Sequence, residues 1–181
     1  MKKSLLFSFL ALCALMLFAS CATLPKKVKP GDSLVIGRVE INVHDYGTFD
    51  GVNLNETDIS EVELVLKDVI YGKEKIIRPN KDGFLYITGL TPHRTYAFTH
   101  LKFSVVANDG HGGIFNTDLP QIRSFIAYDN IIVNIGCTSF DYNGAKSWVS
   151  WKTSNYYYIK ENFESLDEES EWFDKEIVEQ R

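Results

Sequence analysis

The sequence predicts a mainly β protein, an antiparallel β-sandwich that ends in a C-terminal amphipathic helix. Apolar and polar residues alternate with period two in many short segments between residues 34 and 160, which is typical of strands with one buried face. Turn signals rich in glycine, asparagine and proline separate these segments. Apolar residues recur at helical spacing at the end of the chain. The 181 residues, 45% of them hydrophobic, suffice for one domain with its own core.

The strand pattern begins at Leu34, where Val39, Ile41 and Val43 alternate with polar residues. A long polar loop is expected at 45–58, a tight turn at Asn80–Gly83 and a flexible turn at 108–113. The apolar phase changes within 95–107, which predicts a bulge or a strand that leaves one sheet for another. We expect further strands at 61–67, 75–78, 84–88, 95–107, 122–127, 131–137 and 147–153, the last one extended by 156–159.

The C-terminal pattern is helical and acidic. Phe163, Leu166, Phe173 and Ile177 recur at helical spacing, and a Ser165/Glu168 pair has the spacing of a capping box. We therefore expect an amphipathic helix over about 165–179, within an acidic C-terminal segment of residues 161–181. This segment carries nine acidic and two basic side chains, whereas acids and bases balance over 21–160.

The N-terminal segment has the pattern of an export signal. Lys2 and Lys3 precede an apolar run over 5–18, which is shorter than the roughly 20 residues that span a bilayer. Small residues Ala19 and Ser20 then lead to Cys21.

This arrangement resembles the signal peptide of bacterial lipoproteins, in which small residues precede a cysteine that becomes the new N-terminus. The resemblance implies that residues 1–20 are removed, that Cys21 receives a diacylglycerol and a further acyl chain, and that 21–33 form a lipidated tether. Two or three acyl chains hold a protein on a bilayer stably. A secretory signal cut near Ala22, which would release the protein, and an uncleaved anchor are the alternatives.

Cysteine count agrees with such processing. Cys13 would leave with the signal and Cys21 would carry lipid, so Cys137 would remain alone and no intramolecular disulfide could form. Because Cys137 lies in an apolar run, we expect a buried structural thiol.

Residues 36–105 contain a second family pattern. It comprises Gly37-x-Val39, Val62-x-Leu64-x-Leu66, Asp82-Gly83-Phe84-Leu85-Tyr86-Ile87-x-Gly89-Leu90-x-Pro92 and a later Tyr96. This resembles the prealbumin-like β-sandwich of carboxypeptidase regulatory-like and transthyretin-like domains, an immunoglobulin-like architecture. The resemblance implies a scaffold of the kind that is mostly non-catalytic in bacterial envelope proteins, and it implies no ligand.

No motif of a known enzyme or cofactor site is present. The four histidines (His44, His93, His100 and His111) form no metal-binding spacing with acids or cysteines, so we expect no metal and no cofactor. G-x-S-x-G, P-loop and G-x-G-x-x-G patterns are absent. The sequence has no basic patch with interleaved aromatic residues, so we do not expect nucleic acid as a partner.

Aromatic residues cluster between 148 and 158. We singled out Trp148, Trp151, Tyr156 and Tyr158 as candidate binding residues, because exposed aromatics contact proteins or sugars. The alternative is that they fill the core or lie beneath the C-terminal helix.

Together these patterns favour a non-enzymatic binding or assembly module, anchored in the bacterial cell envelope through Cys21. By family resemblance, Ala22, which directly follows Cys21, favours the outer membrane if the cell has one. The partner would be another envelope protein or a carbohydrate. A surface module that binds carbohydrate or peptide is the first alternative, and predicts a concave aromatic patch with hydrogen-bonding neighbours. An envelope enzyme whose site has no recognisable motif is the second.

Overall fold

The computed structural model describes residues 24, 28–44, 48–49, 52–53, 57–107, 112–119, 124–143, 148–166 and 169–180. Sheet 1 has the strand order β11-β10-β1-β6, with β12 beside β10. Its strands are β1 (Leu34–His44), β6 (Phe84–Thr88), β10 (Ile132–Asn143), β11 (Trp148–Ser154) and β12 (Ile177–Glu179).

Sheet 2 has the strand order β5-β4-β7-β8, with β9 beside β7. Its strands are β4 (Thr57–Asp68), β5 (Glu74–Ile77), β7 (Thr95–Ala107), β8 (Gly112–Asp118) and β9 (Ser124–Ile126). A small hairpin of β2 (Thr48–Phe49) and β3 (Val52–Asn53) lies within the predicted 45–58 loop.

The two sheets share one buried cluster, which confirms the mainly β prediction. Val35 and Val133 enter it from sheet 1, and Leu64 and Leu101 enter it from sheet 2; all four are fully buried. Successive side chains of a strand point to opposite faces, so the alternation seen in the sequence places one apolar face of each sheet against the other.

The phase change predicted in β7 is a bulge. Val65 pairs with His100 but Leu66 pairs with Phe98, so Thr99 is an extra residue on β7. The extra residue keeps the apolar side chains before and after it on the same face, where they are buried: Tyr96, Phe98, Leu101 and Phe103.

The expectation of an antiparallel sandwich is wrong for sheet 1, which is mixed. β10 runs parallel to both β1 and β12. Turn signals reveal only the pairings that a short hairpin connects, and β10 is distant from both of these partners along the chain. The β1–β10 pair also shifts register near Gly37, where an added Cβ would lie 2.6 Å from Ile135.

The predicted C-terminal helix over 165–179 is wrong in position. Helix α1 covers Tyr156–Glu164, a 3-10 helix covers Glu171–Asp174, and the chain then enters β12. A capping box marks the start of a helix. Ser165 instead lies at the C-terminal end of α1, so the predicted capping box is not one. It is Ser170 that caps, accepting the Trp172 N–H at the start of the 3-10 helix.

The outer face of sheet 1 is buried under α1, the residues that follow it and the 3-10 helix, which together we call the C-terminal cover (residues 156–166 and 169–174). Phe163 and Trp172 are buried in a second cluster together with Ile36 and Cys137 of sheet 1. Leu24, 6% exposed, joins this cluster from the N-terminal side. The apolar residues of the C-terminal pattern therefore do face the core, but from several short elements.

Besides the β2–β3 hairpin, the sequence did not predict the strands β8 and β12. β8 begins at Gly112, inside the predicted 108–113 turn, and contains two glycines that disfavour strand. β12 lies where helical spacing was expected; its pairing with Ile132–Asn134 of β10 is a tertiary contact that sequence periodicity does not reveal.

Candidate functional site

Two depressions adjoin the turn that connects β5 to β6. The smaller, of about 540 Å³, is called the Arg38 groove; it lies between this turn and α1. The larger, of about 680 Å³, is called the β1–β4 cleft. Both are lined by Arg38, Asn80, Lys81 and Asp82. The Arg38 groove is completed by Phe84, Tyr86, Tyr158, Asn162 and Leu166.

Arg38 lies beside two aromatic rings in the groove. Its guanidinium carbon is 5.5 Å from the centroid of the Phe84 ring and 5.6 Å from that of Tyr158. The two rings are themselves 6.0 Å apart, centroid to centroid. Cations at this distance are attracted to the face of an aromatic ring. The stacking therefore gives one wall of the groove a fixed, partly apolar surface.

Hydrogen bonds hold the Arg38 side chain in place. Its Nε donates to the Asp82 carbonyl oxygen at 3.1 Å, and its Nη1 donates to Glu40 Oε1 at 2.6 Å. The second oxygen of Glu40 accepts a bond from the Ser139 hydroxyl at 3.0 Å. The Arg38 side chain is 29% exposed and lines the groove.

The adjoining turn is ordered by Asn80. Its Oδ1 accepts from the N–H groups of Asp82 and Phe84 at 3.0 and 2.8 Å. Gly83 takes a positive φ of 84°, as the Asp82-Gly83 pair predicts. The groove wall is thus shaped by side chain to main chain bonds within the turn, and a ligand would meet a surface that is already organised.

A charged network borders the β1–β4 cleft. Arg78, which lines the cleft, pairs with Glu63, and Lys102 lies 3.4 Å from the same carboxylate. Burial opposes ionisation of Glu63, but these two cations hold the pKa of its carboxyl below the ordinary value. Glu63 is therefore ionised at neutral pH.

The thiol of Cys137 is not a candidate nucleophile. Its side chain is 1% exposed, and burial, with the nearby Glu40 carboxylate, raises the pKa of the thiol to about 11. A thiol of this pKa stays protonated at neutral pH and is unreactive. The prediction of a buried structural thiol is confirmed.

The structure places the four predicted aromatic residues differently. Trp148 and Trp151 belong to β11, and their side chains lie outside the described part. Tyr156 is half-buried and its hydroxyl donates to the Gln180 carbonyl oxygen at 3.0 Å. Tyr158 is 44% exposed and lines the Arg38 groove. The predicted strand extension over 156–159 is wrong because these residues start α1. Of these two tyrosines, Tyr158 lines the groove and Tyr156 does not.

The other groove residues were missed from sequence. Arg38 occupies a polar position in the alternation of β1, which predicts only a solvated side chain. Asn162 and Phe84 come from α1 and β6, and no local spacing connects them. Besides Tyr158, the sequence features that pointed to this region were the Asp82-Gly83 turn signal and the family pattern that contains Phe84 and Tyr86.

The two histidines whose side chains are described do not form a metal or catalytic site. His93 is exposed, with its ring edge-on to Tyr128, and His100 pairs with Asp118 on sheet 2. His111 lies outside the described residues, as does the side chain of His44. Within the described part no three His, Cys, Asp or Glu side chains are placed to hold a metal ion. In that same part no helix has the length and apolar character needed to cross a bilayer.

Cys21 and the rest of 1–23 lie outside the described residues. In the predicted tether, Leu24 is buried and the Val28 N–H donates to Glu171 Oε2 at 2.9 Å, so these two residues contact the C-terminal cover. Comparison with protein-family models, curated proteins and solved structures finds no match to this chain.

Proposed function

We propose that this chain is a lipid-anchored cell-envelope protein whose two-sheet domain acts as a non-enzymatic binding or assembly module. The observation that carries the anchoring is the order of residues before Cys21, where an apolar run too short to span a bilayer ends in Ala19-Ser20. Leu24 is packed on the domain, so a lipid on Cys21 would lie only three residues from the folded body.

Metabolic labelling with a fatty acid tests this anchor. Wild-type protein should take up label and sediment with membranes, whereas Cys21→Ala should do neither, because no thiol remains to be acylated. Cys137→Ala is the matched control and should be labelled like the wild type, since Cys137 is buried. An unlabelled wild-type protein would refute the anchor.

The finer fold assignment, a prealbumin-like sandwich, belongs to the same proposal. Its sequence pattern falls on the central strands β1, β4 and β7 and on β6, the edge strand of sheet 1. The Asp82-Gly83 turn and buried Tyr96 support it, as does the two-sheet core. An experimental structure with the same strand order as a prealbumin-like domain would establish it.

The Arg38 groove favours carbohydrate as the ligand of the module. A binder of carbohydrate needs a concave aromatic surface with hydrogen-bonding neighbours, and the groove combines Tyr158 and Tyr86 with Asn162, Asp82 and Lys81. The predicted apolar stripe offers less surface for protein assembly, because Phe163 is 2% exposed and its other members are partly buried against the second cluster: Leu166, Phe173 and Ile177.

Two neighbouring tyrosines allow a matched test of the groove. Tyr158→Ala should weaken binding to an immobilised panel of neutral and acidic oligosaccharides about tenfold, since an aromatic contact contributes about 1 kcal/mol beyond its buried area. Tyr157→Ala should leave binding unchanged, because Tyr157 is 70% exposed on the same helix and does not line the groove. Equal affinities of both variants, or no binding by the wild type, would contradict a carbohydrate role.

A further inference from the structure

The turn that connects β4 to β5 displays three consecutive apolar side chains. Val69, Ile70 and Tyr71 are 54%, 72% and 62% exposed. Single exposed apolar residues are ordinary on protein surfaces, but neighbouring ones at the tip of a turn mark a contact surface. We call residues 69–71 the apolar tip.

The apolar tip is held in place by Asp68. One carboxylate oxygen accepts from the N–H groups of Ile70 and Tyr71, both at 3.0 Å, and the other accepts from Arg94 Nη1 at 3.0 Å. The bond from Tyr71, together with Arg94, keeps the pKa of this carboxyl below its ordinary value, although burial opposes it. Asp68 is therefore an ionised, buried clamp that fixes the tip in its exposed form.

Arg94 also supports the tip from the side. Its guanidinium carbon lies 3.9 Å from the centroid of the Tyr71 ring. Because the backbone and the Tyr71 ring are already held in place, the tip loses less conformational freedom when it binds than a mobile turn would. Preorganisation of this kind is expected for a functional contact rather than for an incidental turn.

The apolar tip lies at the end of the molecule where the chain enters sheet 1. Lys75, in the strand after the tip, donates from Nζ to the Thr88 carbonyl oxygen at 2.7 Å. Thr88 pairs with Leu34, the first residue of β1. The segment before Leu34 is fastened there too, by a bond from the Gly31 N–H to Asp129 Oδ1 at 3.0 Å.

Lysines flank the apolar tip in the sequence. Segment 67–75 carries three lysines and two acids, and one of those acids is the buried Asp68. An anionic lipid surface would therefore attract the tip and not repel it.

The geometry points to a second membrane contact: the apolar tip inserts into the interfacial layer of the bilayer that holds the anchor proposed at Cys21. The inference rests on that proposed anchoring. Ten residues separate Cys21 from Gly31 and span at most about 35 Å, which limits how far this end can lie from the bilayer. A weak tip contact then suffices, because it forms within an already tethered molecule.

Depth measurement with a nitroxide label tests the inference on the full, processed protein. Ile70→Cys and the control Ile114→Cys are labelled and placed in vesicles of phosphatidylethanolamine and phosphatidylglycerol. Ile114 is 68% exposed on β8, which pairs with the far part of β7. The label at 70 should be reached by oxygen and shielded from a water-soluble nickel chelate, whereas the label at 114 should show the reverse.

The outcomes separate the tip from the anchor. Equal access of the chelate to both labels on vesicle-bound protein overturns the tip contact and leaves the anchor intact. A label at 70 that is shielded only in native membranes, and not in pure lipid, also overturns it and identifies a protein partner. If the protein carries no acyl chain, the anchor proposal fails, and added vesicles still test the tip by the same comparison.

Discussion

At the scale of single residues, the groove depends on how closely the Asn80–Gly83 turn approaches β1. Gly83 has a φ of 84°, and a Cβ added to it would lie 2.5 Å from the Val39 carbonyl oxygen. The Val39 N–H in turn donates to the Gly83 carbonyl oxygen at 2.9 Å. Glycine is required here for two reasons, its left-handed conformation and its lack of a side chain.

Gly83→Ala should therefore destabilise the domain by more than the cost of a left-handed residue alone. That cost is about 1 kcal/mol, and the clash with Val39 should raise it to about 2–3 kcal/mol. Gly89→Ala is the control, since Gly89 has a φ of 69° with no atom within 4 Å of an added Cβ. Urea unfolding of both variants measures the difference; equal costs would contradict the close approach.

The sequence predicted the conformation or burial of single residues well where one local rule decides it. The positive φ of Gly83 followed from the Asp-Gly pair, and the burial of Cys137 followed from its apolar run. Arg38 could not be recognised, because what makes it a groove residue is its contact with Phe84 and Tyr158, which come from a strand and a helix far along the chain. Side chains brought together by tertiary packing leave no trace in local spacing.

At the scale of elements, strands were predicted better than the C-terminal cover. Period-two alternation is a direct consequence of one buried face, so β1, β4, β6 and β7 were found, and even the bulge in β7 left a visible phase change. The helical spacing of Phe163, Leu166, Phe173 and Ile177 misled, because three short elements bury their apolar residues on the same sheet. The spacing of apolar residues predicts which residues are buried, but it does not show whether they belong to one helix or to several elements.

The central residue of the C-terminal cover should be Trp172. Its side chain is 0% exposed in the second cluster, and its indole N–H has no hydrogen-bond partner among the described residues. Trp172→Ala should lower the free energy of unfolding by about 3–5 kcal/mol, because it leaves a large cavity. Trp172→Phe should cost less, since it keeps a ring in place and gives up an N–H that is not bonded there.

Thermal and urea unfolding of the two Trp172 variants provide the measurement, with Tyr157→Ala as the exposed control on α1. If Trp172→Ala unfolds at the same urea concentration as the wild type, the cover does not pack on sheet 1. The second cluster would then be loose, and the proposed closeness of Leu24 to the domain would lose its support.

At the scale of the whole molecule, the two sheets are joined at one edge by the end of the chain. Gln180 follows β12 of sheet 1, and its side chain reaches β9 of sheet 2. Its Oε1 accepts from the Ile126 N–H at 2.8 Å, and its Nε2 donates to the Ile126 carbonyl oxygen at 2.9 Å. The amide group thus pairs with Ile126 as a neighbouring strand would, and links two sheets that share no backbone pairing at this edge.

Gln180→Ala should open this edge. Loss of two hydrogen bonds at an exposed site should cost about 1–2 kcal/mol, and the amide hydrogen of Ile126 should exchange faster with solvent because its acceptor is gone. Glu176→Ala is the matched control, since its carbonyl oxygen keeps the bond from the Ile132 N–H whatever its side chain is. Hydrogen exchange measured for both variants decides the point: an unchanged rate at Ile126 in Gln180→Ala would show that the chain end does not close the sandwich.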